Sequence, residues 1–152
     1  MRNIENNGED KIMEKKAIMD LKIDFNGPVL NLKGEVADVV MIPFKGTVEG
    51  EIFKGIIEPC GVDTQVVNAA KVRHMSARYM LTGKDSTGTD AHIYVENNGW
   101  FDDSVPSEGG SFRTVPTFYT DSAALAPYFH TRRFTGEGSI EADGLHIRFY
   151  EI

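Results

Sequence analysis

A single cysteine, Cys60, occurs in the 152 residues, so the chain cannot close an internal disulfide. That usage fits a reducing compartment. No apolar run approaches the roughly 20 residues that cross a bilayer as a helix. The opening stretch, "MRNIENNGEDKIMEKK", lacks the apolar segment of a secretory signal. The expected location is therefore cytoplasmic. Basic residues are in deficit: 16 Lys and Arg oppose 23 Asp and Glu, a formal net charge of −7. Such a surface repels phosphate backbones and anionic membranes, so neither nucleic acid nor membrane is an expected partner.

Catalytic signatures are equally scarce. The four histidines, His74, His92, His130 and His146, show no zinc-ligand spacing, and one cysteine cannot build a structural zinc site. "GKDSTG" at 83–88 has the wrong spacing for a nucleophile elbow and sits in a turn. "GEG" at 136–138 has no third glycine and no strand-to-helix context for a dinucleotide. Nothing lowers the thiol pKa of Cys60 by sequence context. We expect no metal and no cofactor.

What is present is alternation. Met19, Leu21, Ile23 and Phe25 interleave with Asp20, Lys22 and Asp24, the period of a half-buried strand. "NGP" at 26–28 ends it. Further strand-like runs follow at 35–44, 47–57, 77–96, 111–120 and 132–152, divided by Gly, Asn and Pro. Gly50 and Gly55 suggest bulges, and "PCG" at 59–61 a break. Pro116 marks 111–120 as an edge or bulged strand. Asp143-Gly144 between two alternating runs is a hairpin signal. Residues 64–73 suggest one or two helical turns, and 122–129 a short helix capped by Ser122. Residues 1–18 read as a disordered tail, and 100–111 as a mobile loop. One all-β domain over 19–152 results, an antiparallel barrel or sandwich with one or two short helices.

Four segments in this order, "GTVEGEIFKGIIEPCGVD", "SARYMLTGKDSTGTDAHIYVENNG", "SFRTVPTFYT" and the closing "RRFTGEG…YEI", resemble the bacterial and fungal family called domain of unknown function 3237, or uncharacterised protein family 0311. The resemblance spans roughly residues 20–152. It implies a lipocalin-like (calycin-like) antiparallel β-barrel and brings no activity with it. The family's Gly-Gly-x-Asp-Trp appears here as Cys60-Gly61-Val62-Asp63-Thr64, and its Trp-Leu-Asn as Tyr128-Phe129-His130. Positions that match the family are Asp63, Arg78, Tyr79, Tyr94, Gly99, Arg113, Thr114 and Phe118.

Three arginines, Arg78, Arg113 and Arg148, each stand mid-strand between residues that point the other way. On a convex surface they are ordinary charges. Inside a hollow barrel they would line a ligand site, their planar forks suited to a carboxylate or enolate oxygen. The expectation is a lumen lined by Arg78 and Tyr94, with Arg113 entering from the next strand and Asp63 on a loop at the mouth. His146 and Arg148 complete the candidate ligand-binding set; no catalytic residue is assigned. The partner would be a small, partly apolar, anionic metabolite. A cofactor-free cyclase, isomerase or lyase is the alternative, with Asp63 or His146 moving a proton. A third reading is an interaction module, a homodimer among its forms, pairing through the edge strand at 111–120.

Overall fold

The structure, a computed structural model, describes residues 16–102 and 111–152. Among the described residues the strands are β1 (Met19–Phe25), β2 (Leu30–Lys33), β3 (Ala37–Glu49), β4 (Phe53–Asn68), β5 (Val72–Asp85), β6 (Asp90–Asp102), β7 (Phe112–Thr120), β8 (Phe134–Glu141) and β9 (Gly144–Glu151); a short helix, α1 (Ala126–Thr131), lies between β7 and β8. Each strand pairs antiparallel with its neighbour from β3 through β9. β1 then bonds to both β9 and β3, which closes eight strands into a barrel. Eight strands make an interior just wide enough for side chains to fill or for one small ligand. β2 stays outside this ring. It continues β1 along β3 after residues 26–29, its four residues all exposed. No helix among the described residues is long and apolar enough to cross a membrane.

Period two decides what fills the barrel. Met19, Leu21, Ile23 on β1, Tyr79 and Leu81 on β5, Ile93 and Val95 on β6, and Ile147 and Phe149 on β9 all turn inward and are buried. At the end where β7 leaves and β8 enters, Phe118 packs edge-on against Phe134 and Phe149, with ring centroids at 5.3 and 5.1 Å, and stacks on Phe129 of α1 at 4.8 Å. Edge-to-face pairs suit the ring quadrupole. This half of the lumen is therefore hydrocarbon, and α1 closes it.

Several local expectations are corrected. Residues 64–73 form no helix: they finish β4, turn and begin β5. The β-branched Val66, Val67 and Val72 favour strand, and the Asn68 side chain accepts the amides of Ala70 and Val72 at 3.0 and 3.1 Å to hold the turn. "PCG" does not end a strand. The β4–β5 register shifts between Ile57 and Val62, so the segment is a bulge within a 16-residue strand. β7 is no free edge, since it lies between β6 and β8. Its pairing with β8 spans only Phe112–Thr114, and Pro116, which lacks an N–H, lies beyond it. Ser122 caps the turn before α1 rather than the helix itself, accepting the Leu125 amide at 3.1 Å. Of the tail expected at 1–18, residues 1–15 lie outside the described residues; Ile18 already donates to the Phe149 carbonyl at 2.8 Å. The loop expected at 100–111 lies outside them over 103–110, while 100–102 belong to β6.

Candidate functional site

The other half of the barrel holds a small cavity of about 50 Å³. It lies at the end carrying the β4–β5 and β8–β9 turns. Ile23, Phe44, Ala77, Tyr79 and Ile147 form its walls, and Phe25, Met75, Phe112 and Leu145 crowd its mouth. Three polar side chains reach it: Asp63 from β4, Asn97 from β6 and Thr114 from β7. Their atoms Asp63 Oδ1, Asn97 Oδ1 and Thr114 Oγ1 are buried and have no hydrogen-bond partner. Among the described residues no other buried side-chain oxygen or nitrogen is so placed. An unpaired buried polar group costs about 1–3 kcal/mol. Three around one cavity are unlike a core that merely needed filling.

Local sequence explains how they arrive there. Asp63 lies beyond the β4 bulge, which adds two residues relative to β5 and so keeps the alternation: Phe53, Ile57, Gly61 and Asp63 share the inward face. Asn97 continues the inward face of Ile93 and Val95, and Thr114 that of Phe118. Gly136 and Gly138 on β8 leave the space: a Cβ at Gly136 would lie 2.2 Å from Thr114 Oγ1, and one at Gly138 2.1 Å from the Phe112 ring. Phe112 meets Phe101 edge-on at 5.6 Å. It also forms a wall shared with a wider hollow of about 430 Å³ that includes Trp100, Arg113 and Glu137.

Electrostatics single out Asp63. Burial pushes its carboxyl above the usual carboxylate range, opposed by a hydrogen bond from Gln65 and the charge of Arg73. Gln65 Nε2 donates to Asp63 Oδ2 at 2.8 Å, and Arg73 Nη1 donates to Gln65 Oε1 at 2.7 Å. Tyr79, 4% exposed, sits edge-on to Phe44 at 5.1 Å. Burial and then the nearby Asp63 charge drive its phenol far above the usual tyrosine range, so it stays neutral.

The other expected site residues lie elsewhere. Arg78 is exposed on the outer face, where it borders a hollow of about 380 Å³ with Val62, Val66 and His74. Tyr94 shares that outer face, stacks on Tyr119 at 6.4 Å and donates its hydroxyl to Glu96 at 2.9 Å. Arg113 is exposed. The arginine-lined lumen is thus corrected: the strand alternation holds, but its inner face is the Ala77–Tyr79 side. Asp63 is inside rather than on a loop at the mouth. His146 and Arg148 also face outward, in a charged cluster. His146 bonds Asp20 at 2.8 Å through Nδ1 and Asp143 at 2.7 Å through Nε2. Arg148 donates to Asp20 at 3.2 Å and clamps Glu141. The Asp20 contact, followed by Asp143, raises the His146 pKa; Arg148 chiefly holds Glu141 down to about 2. Glu141, Asp143 and His146 bring ligand-type atoms within 4.8 Å of one another. A cation there would compete with Arg148 for Glu141, so the cluster reads as an ion-pair network.

Gln65, Arg73 and Asn97 escaped the sequence reading. Their signal was a polar residue in phase with an apolar face: Arg73 and Met75 with Tyr79, Asn97 with Ile93 and Val95.

The profile of the family described as "Protein of unknown function (DUF3237)" matches residues 14–152. The chain belongs to this family. A UPF0311 protein of Clostridium acetobutylicum is 32% identical over 158 residues, covering 93% of this chain and 96% of that protein. A crystal structure of a protein with unknown function from the same organism superposes with a TM-score of 0.71 at 29% identity, over 92% of this chain and 99% of that one. A β-barrel-like protein from Acinetobacter baumannii gives 0.69 at 21% identity, over 91% and 94%. An enzyme from Penicillium herquei gives 0.64 at 16% identity, over 90% and 92%. The last two likenesses show the fold alone. Every position that carries the cavity lies within the matched span.

Proposed function

We propose that the lumen binds a small, largely apolar, uncharged molecule bearing hydroxyl or carbonyl oxygen, and that Asp63 exchanges a proton with it. The reading rests on one observation: three unpaired polar atoms, a carboxyl among them, converge on one apolar cavity. Ligand sites are mostly apolar with a few converging polar groups. A carboxyl whose pKa is raised by burial gives and takes a proton more readily than an exposed one at the same pH. Among the described residues no arginine lines the cavity, and Arg73, the cation that acts on Asp63, is bonded to Gln65, so an anion entering the cavity would meet the Asp63 carboxyl first. The ligand class is accordingly neutral rather than anionic. A cofactor-free isomerase or cyclase fits this geometry better than passive binding, because a simple binder has no use for a buried carboxyl with one unpaired oxygen.

Size limits the ligand. About 50 Å³ is a third of the roughly 150 Å³ that accepts benzene in an engineered core. A ring enters only if the mouth yields, and Phe25, 61% exposed, is the side chain freest to move.

Deuterium exchange tests the proposal without knowing the natural substrate. Cyclohexanone and 2-cyclohexenone in D2O are followed by proton NMR with wild type and Asp63→Asn. Wild type should accelerate exchange next to the carbonyl at least tenfold over the variant, within the usual range for a positioned acid–base group. Equal rates for the two proteins would refute proton transfer by Asp63.

A further inference from the structure

We propose that Gln65 and Arg73 are positioning residues that hold Asp63 from behind, so that Oδ1 faces the cavity and is the oxygen that exchanges the proton. The inference rests on the reading of the lumen as an acid–base site, and it adds which oxygen reacts and what aims it.

Donor inventory fixes the arrangement. A guanidinium can only donate, so the group of Gln65 facing Arg73 Nη1 at 2.7 Å must be its carbonyl oxygen. The amide nitrogen is thereby turned to Asp63, where Nε2 lies 2.8 Å from Oδ2. Either orientation of an isolated Gln would satisfy a carboxyl that can be acid or base. Arg73 removes that freedom. With Oδ2 receiving an N–H, the acidic proton has its place on Oδ1, the oxygen with no partner in the cavity. On ionisation the charge at Oδ1 would face largely apolar walls, with the Asn97 carbonyl oxygen and the Thr114 hydroxyl as the other polar atoms of the cavity. That opposes ionisation, while the Gln65 bond and the Arg73 charge favour it. Arg73 and Tyr79 are the titratable or charged groups that act on Asp63, both from β5, and Tyr79 is neutral. In the transfer step the Oδ1–H bond breaks and the proton passes to the ligand's oxygen. The carboxylate left behind takes a proton from the carbon next to the ligand's carbonyl, which leaves the neutral enol and returns the protein unchanged.

The arrangement also orders the ligand. Its acceptor oxygen belongs against Asp63 Oδ1 and a donor against Asn97 Oδ1, while the Thr114 hydroxyl can give or take a hydrogen bond.

The test is a carboxyl-carbon NMR titration of Asp63 in the full chain, its signal assigned by loss in Asp63→Asn. Gln65→Met and Arg73→Met are compared with wild type, with no ligand present. Each variant removes an interaction that favours the ionised carboxyl, so the Asp63 midpoint should move up in both. A mere structural prop would lower the melting temperature and leave the midpoint in place; an unmoved or lowered midpoint in either variant overturns the proposal. Where one variant does not fold, the other decides alone. Failure of the ketone exchange with an upward midpoint shift would sink the proton-transfer function and keep the positioning. The converse result would separate them the other way.

Discussion

Asp63 is the residue on which fold and function pull apart. Its carboxyl is inside a hydrocarbon wall with one oxygen bonded and one bare. Burial raises its pKa above the model-compound value of 3.8. A raised carboxylate pKa means the folded state prefers the neutral acid. That preference is fully present below pH 3.8 and is lost as pH rises through the folded midpoint. Asn at 63 keeps the shape and never ionises. Thermal melts of wild type and Asp63→Asn from pH 3.5 to 8 should therefore show the variant gaining on wild type as pH rises. A variant that loses ground as pH rises would show that the ionised carboxylate is stabilised in the fold. The contrast with Asp85 is instructive. That carboxylate accepts from Ser122, Thr87 and the Thr89 amide, and its pKa falls to about 2, with the Ser122 bond the largest cause. Two aspartates in one barrel thus shift in opposite directions, because burial dominates at Asp63 and hydrogen bonds dominate at Asp85.

At the scale of strands and turns, alternation was legible and its phase was not. The β1, β5, β6 and β9 patterns placed the apolar face correctly, yet the arginine face was read as lumen. A pocket lined by charge needs a wide barrel; eight strands leave room mainly for side chains, and the large apolar residues claimed it. The informative residues were the polar ones standing in phase with apolar neighbours, Asn97 and Thr114, since a buried polar group says more than an exposed charge. The break read at "PCG" hid Asp63 by placing it on a loop; the bulge at 58–61 adds two residues and leaves Asp63 in phase with Phe53 and Ile57. Asp143-Gly144 was legible as a hairpin. The observed pairing joins Glu141 to Gly144, so the turn sits one residue earlier than the dipeptide, with Gly144 at φ 126°. An L side chain there is strained by about 1–3 kcal/mol. Gly144→Ala should lose that much in urea unfolding with little change in slope, whereas a loss under about 0.5 kcal/mol would show the turn relaxing around it.

Across the whole molecule, a division of labour runs along the barrel axis. The α1 end is packed with aromatic rings and supplies stability, while the opposite end keeps a small void rimmed by unpaired oxygens. The wall residues of the void come from β1, β3, β4, β5, β6, β7 and β9, which is why no single sequence motif announced it. Only closure of the sheet gathers them. If the unpaired oxygens are kept for a ligand, removing them should help the apoprotein and harm the complex. The most direct measurement is the melting temperature of wild type and of the double variant Thr114→Val with Asn97→Leu, with and without 2-cyclohexenone. The account expects the double variant alone to melt at or above wild type, by up to about 2 kcal/mol from relieved desolvation, and to lose the ligand-induced rise. A double variant clearly less stable than wild type, with the ligand response intact, would contradict it.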